Sequence, residues 1–151
     1  MRLARAGVVL IALGLLIPYA AYLTADTVLH FHFAKQLLRG EGFAVNAGAP
    51  TDGATSPRWV LLLAAAGFFI PGAAATPDST SVMPLLGWIS KAWGALFTVL
   101  AVVWCGRVAR RLGWDARAGL ILAALAAFHA WSMRWAVSGM ETPLAFFLVL
   151  V

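Results

Sequence analysis

Apolar runs of roughly bilayer-crossing length dominate this chain, and they constrain its fold more than anything else in the sequence. The runs lie at about 6–24, 84–108 and 118–135, each near the ~20 residues that a spanning helix needs. The composition agrees: 62% of residues are hydrophobic, 11% are charged and the mean hydropathy is +0.87. A soluble domain is nearer half apolar and a quarter charged. The expected class is an all-α integral membrane protein. The net charge of +5 does not argue for nucleic acid, because the arginines cluster beside apolar helices, where positive-inside topology accounts for them. Cys105, the single cysteine, lies inside an apolar run and forms no intrachain disulfide.

The polar and turn-forming residues gather at 26–59, with Asp26, Glu41 and Asp52 among the chain's six carboxylates. Ahead of this stretch, Arg2 and Arg5 precede the first run, and Tyr19 and Tyr22 sit at its far end as interfacial anchors. A signal peptide is the competing reading, but its apolar region is normally shorter, and no small-x-small cleavage pattern precedes Asp26. Residues 28–39 suit a helix on the membrane surface. His32, Lys35, Gln36 and Arg39 share one face, and Leu29, Phe33 and Leu37 another. Asn46, Gly48, Pro50, Asp52 and Gly53 then supply turn chemistry without a helical period.

The apolar segment 58–70, bounded by Pro57 and Pro71, is short for a span and suits an interfacial or re-entrant helix. Taken so, the charges sort well. The N-terminus and Arg107, Arg110, Arg111 and Arg117 fall inside, and the loop 25–83 falls outside with Asp26, Glu41, Asp52 and Asp78. Glu141 is also outside, which leaves Asp115 as the inner carboxylate. Lys91 lies about two turns into the span 84–108. Trp131, Arg134 and Trp135 mark the outer end of the span 118–135. A fourth helix opens at Thr142 and Pro143. It reaches Val151 after roughly 15 Å of rise, half a crossing, so the chain is expected to be a fragment of a longer protein.

Several short motifs, in order, carry a family likeness. DTVLHFHFA at 26–34, GEGFAVN at 40–46 and GATSPRW at 53–59 resemble the first external loop of bacterial GT-C glycosyltransferases, which use polyprenyl-phosphate sugars. The likeness is to the branch with the mycobacterial terminal arabinofuranosyltransferases. SGMETP at 138–143 resembles that branch's Ser-Gly-Leu-Glu-Thr segment, which opens a further helix. Against the family pattern, the paired aspartates align with Ala25 and Asp26, an arginine aligns with His32, and the proline of Asn-Pro-Gly is Ala47. Arg58 precedes the tryptophan.

The resemblance implies transfer of a sugar from a polyprenyl phosphate to a glycan or lipid acceptor of the cell envelope, on the outer face of the cytoplasmic membrane. Such transfer needs a base for the acceptor hydroxyl. Asp26 and Glu141 are the candidate carboxylates. A charge beside a helix start can also be purely structural. Lys91, Arg134, Arg58 and Lys35 are candidate partners for the donor phosphate, with snorkelling to the headgroups as the plain alternative. His30 and His32 are two apart, point to different helix faces and do not chelate together. His129 is distant. A divalent cation on Asp26, Glu141 and Asp52 stays open on donor chemistry alone, and no cofactor is required. Thr55, Ser56 and Ser138 fit turn and capping roles. The sequence holds no Walker loop, glycine-rich nucleotide loop or Ser-His-Asp order. The alternatives are an inactive remnant, or a small multi-pass membrane protein with a structural, subunit or transport role.

Overall fold

A computed structural model describes residues 2–70 and 82–151. The chain is mostly helical with one small sheet. Its elements are α1 (Arg2–Leu16), a 3-10 turn (Ile17–Tyr19), α2 (Ala25–Leu38), β1 (Ala44–Asn46), β2 (Ala49–Pro50) and α3 (Pro57–Gly67). After these come α4 (Val82–Arg111), α5 (Ala116–Phe128), α6 (Ala130–Ala136) and α7 (Thr142–Leu150). They form two compact units, Leu23–Ser90 and Met1–Tyr22 with Lys91–Val151.

In the unit Leu23–Ser90, Thr24 caps α2 by accepting from the Thr27 N–H at 3.2 Å. Such a cap satisfies one of the donors a helix start leaves orphaned. The hairpin and α3 pack on α2. The core is Phe31, Phe33, Ala34, Ala44, Trp59, Val60, Leu63 and Leu86, all buried. The hairpin turns through Gly48 at φ +74, a left-handed conformation that suits glycine. It is tied back where the Gly48 N–H donates to Glu41 Oε2 at 3.1 Å.

Two expectations change here. The fold is not all-α, because the turn-rich stretch closes the antiparallel pair β1–β2. The helix expected on a membrane surface at 28–39 begins at Ala25, and its polar face is not outward. Lys35 is only 9% exposed and Gln36 6%. The hairpin offers the Val45 carbonyl to Gln36 Nε2 at 3.3 Å, which satisfies the donor half of the buried amide, while Oε1 is buried without a hydrogen-bond partner.

The other unit packs α1 against α5 and α6. One cluster joins Ala12, Val102, Cys105, Ala123 and Ala127, and a second joins Leu16, Met133, Ala136 and Val137. The first apolar run is helical only to Tyr19, not to 24. Pro18 lacks the N–H of a continuing α-helix and clashes with the preceding turn. Among the described residues, α4 is the one unbroken helix long and apolar enough to cross a membrane. At 30 residues it is longer than expected at both ends.

The expected third helix, 118–135, is not continuous. α5 and α6 meet at 61°, with His129 extended at φ −70, ψ 118. No proline or glycine lies there. The bend places Ala123 and Ala127 of α5 in the first cluster and Met133 and Ala136 of α6 in the second.

Candidate functional site: a cationic and aromatic cluster around Tyr22

Tyr22 ends the first segment of its unit, past the 3-10 turn that Pro18 imposes. Two cations separated widely in sequence converge on it. Lys91 donates to the Tyr22 carbonyl at 2.6 Å and to the Val137 carbonyl at 2.7 Å. Val137 is the residue that ends α6, where helix carbonyls lose their intrahelical partners. An ammonium has three N–H donors, and two of those on Lys91 are on backbone. The lysine is 9% exposed, and these bonds are what make its burial in an apolar helix bundle tolerable.

Arg134 approaches the same tyrosine from α6. Its Nη2 donates to the Tyr22 hydroxyl at 2.5 Å, and its guanidinium lies 4.4 Å from the Tyr22 ring centroid and 5.5 Å from that of Trp131. Trp131 and Trp135 stack at 6.2 Å. Stacking leaves the edge of a guanidinium open to hydrogen bonding, which is how arginine grips planar anions.

A cavity of about 240 Å³ adjoins this cluster and shares Trp131 and Trp135 with it. Thr98, His129, Ser132, Thr142, Pro143 and Phe146 complete much of its wall. His129 Nδ1 lies 3.5 Å from Ser132 Oγ, while Thr98 donates to the Gly94 carbonyl at 2.8 Å. The wall is therefore aromatic, with hydroxyl and imidazole groups set into it.

The remaining candidates separate. Glu141 is half-buried at the start of α7, and its side chain makes no capping hydrogen bond. Asp26 is exposed in the first turn of α2 and belongs to the other unit, as do Lys35, buried in α2, and Arg58, exposed at the start of α3. Ser138 makes a turn, donating to the Trp135 carbonyl at 3.0 Å and accepting from the Met140 N–H at 3.2 Å. Thr55 pairs with His30 at 3.4 Å, and Ser56 makes no side-chain cap. Among the described residues, no group of three His, Cys, Asp or Glu side chains is placed to hold a metal ion.

Sequence reasoning picked out Lys91 and Arg134 but missed Tyr22 as their meeting point. It also missed the cavity that the bend at His129 helps to shape. Tyr22 carried one usable signal, its position beyond Pro18 next to a polar stretch. The bend carried none.

A largely helical chain, with one uninterrupted helix of membrane-crossing length among the described residues, is the class that the structure defines. No family model, curated protein or solved structure matches the chain.

Proposed function

We propose that the chain is part of a multi-pass membrane glycosyltransferase, moving a sugar from a polyprenyl phosphate to a cell-envelope acceptor on the external face. The observation that carries this reading is the setting of Arg134. It is a guanidinium held on the Tyr22 and Trp131 faces beside a cavity walled by aromatic rings and hydroxyls. A polyprenyl-phosphate sugar combines an anion, a polyhydroxylated ring and an apolar tail, and this arrangement offers a partner to each. The motifs at 26–59 and 138–143 support the same reading by resemblance.

In the reaction, the acceptor oxygen bonds to the anomeric carbon of the sugar. The bond from that carbon to the phosphate oxygen breaks, and the lipid phosphate leaves with the electron pair. By resemblance, Asp26 is the base for the acceptor hydroxyl proton and Glu141 a second carboxylate for the acceptor, although the two belong to separate units. Arg134 counters the charge gathering on the phosphate, and Lys91 holds Tyr22 in place beneath it. Arg58 and Lys35, in the other unit, stay phosphate candidates by resemblance alone. The N-terminus then lies on the cytoplasmic side of the cytoplasmic membrane and the loop 25–83 on its external side.

Transfer from a radiolabelled polyprenyl-phosphate sugar, assayed in membranes containing the protein, tests the proposal. Loss of a general base lowers rate by about 100-fold or more, so Asp26→Asn is expected to fall by that much with the protein level unchanged. Wild-type transfer by Asp26→Asn refutes the base assignment.

A second reading, a structural subunit of a membrane assembly, is favoured by Lys91 alone, whose backbone bonds are those of a structural pin. Arg134→Gln separates the two. It weakens donor binding under the first reading and leaves transfer by the assembly unchanged under the second.

A further inference from the structure

At the opposite end of α4 from Lys91, three helices of one unit leave a groove. Ala6, Val8, Val9 and Leu10 of α1 form one wall, Val102, Val103 and Gly106 of α4 the floor, and Gly119 and Ala123 of α5 the other wall. Its volume is about 400 Å³, within the ~300–1,000 Å³ of ordinary ligand sites, and its lining side chains are all aliphatic or absent. The groove reaches the surface at Leu10 and Val103, 68% and 45% exposed.

One end of this apolar groove is strongly basic. Val103, Gly106 and Arg110 follow at spacings of three and four, which puts them on one face of α4. Arg110 therefore stands one turn beyond the groove floor. Arg107, Arg111 and Arg117 surround it in sequence, all exposed. Arg107 lies 4.3 Å over the Trp104 ring. The one carboxylate between residues 106 and 123 is Asp115, and it is engaged at 2.8 Å in accepting from the Ala118 N–H at the start of α5. Four arginines against one carboxylate leave the stretch 106–123 with a net charge of +3. At 30 residues, α4 extends about 45 Å against a hydrocarbon thickness of ~30 Å. If α4 spans a bilayer, its length is enough to carry its arginine-bearing last turns into the headgroup layer.

We propose that this groove binds an anionic phospholipid of the surrounding bilayer, with one acyl chain along Val9, Val102, Val103 and Ala123 and the headgroup phosphate on Arg110, supported by Arg107. The complementarity is twofold. The aliphatic channel matches a saturated chain, and the arginines one turn beyond it match a phosphate bearing net negative charge. A zwitterionic lipid presents a compensating cation and gains less there. Basic pockets between membrane helices bind anionic headgroups for this reason. The inference rests on insertion of this unit in a membrane and not on sugar transfer.

The test is lipid retention by the purified chain. It is reconstituted in nanodiscs of equal phosphatidylglycerol and phosphatidylcholine, released into mild detergent and weighed intact by native mass spectrometry. Phosphatidylglycerol is expected to be enriched severalfold among bound lipids. A basic side chain near a charged surface is worth about fivefold in partition, so Arg110→Gln is expected to lower the enrichment by about that factor. Val103→Phe, which fills the groove from an exposed position, is expected to reduce both bound lipids. Arg39→Gln, in the other unit, leaves the pattern unchanged. Equal retention of the two lipids by the unmodified chain, or enrichment indifferent to Arg110→Gln, overturns the proposal. Undiminished lipid on Val103→Phe overturns the groove as its seat. Failure of insertion is read separately, by alkaline extraction of the membranes before purification.

Discussion

Replacing Lys91 with methionine keeps an unbranched side chain, one heavy atom shorter, and removes every donor. In the folded protein that leaves two carbonyls, at Tyr22 and Val137, without the ammonium that sits 2.6 and 2.7 Å from them. A buried acceptor left unsatisfied costs about 1–3 kcal/mol. The Val137 bond is buried and the Tyr22 bond only partly so, which places the sum at about 2–5 kcal/mol. Methionine recovers part of this, since an ammonium taken out of water carries a penalty of its own. The net loss is about 1–4 kcal/mol, and at ~2–4 °C per kcal/mol for a chain near this length it lowers the melting temperature by about 2–16 °C. Thermal unfolding in detergent, followed by near-UV circular dichroism of the tryptophans, measures it. A Lys91→Met protein that melts with the unmodified chain refutes the reasoning. If that protein also lost donor affinity, Lys91 would be a phosphate ligand rather than a pin.

The other predictions concern close approaches and anchors. A Cβ at Gly94 would overlap the Ala136 carbonyl, so Gly94→Ala should cost about 1–3 kcal/mol in the same melting assay. Gly7→Ala, whose Cβ meets nothing within 4 Å, should instead stabilise α1 by up to about 1 kcal/mol. Arg134→Ala removes a charged hydrogen bond and two ring contacts, a loss of about 2–4 kcal/mol, with a change in tryptophan emission because Trp131 loses its cation. Trp59 is 1% exposed at the centre of its unit. Trp59→Ala should cost about 3–5 kcal/mol, seen as faster limited proteolysis of residues 23–70 than of 91–151.

Much of the helical layout could be read from the sequence, because its signals are local. Pro57 opens α3, Thr142 and Pro143 open α7, and Asp115 caps α5, each through chemistry contained in one turn. The glycine and asparagine at 46–48 marked a reversal, though not the strand pairing on either side of it. The stretch 26–59 also showed its separateness in composition, and it falls within the unit Leu23–Ser90. The candidate site was legible only as a set of charged residues. Lys91 and Arg134 are conspicuous in an apolar chain, but nothing near either of them names Tyr22.

What the sequence determined by itself is therefore the helical class and the rough extent of its apolar segments. Hydrophobic runs and caps act over a few residues and do not depend on the rest of the chain. Only the tertiary structure decided which polar groups are buried and what satisfies them. Lys35 and Gln36 looked like a solvated face, yet both are buried, with Gln36 bonded to the hairpin carbonyl of Val45. Lys91 finds its carbonyls 69 and 46 residues away. The bend at His129, with no proline or glycine beside it, sends α5 and α6 into separate clusters. The physical reason is the same in each case. A buried charge or a broken helix is tolerated only when distant segments supply the missing hydrogen bonds and contacts, and that pairing is a property of the packed chain.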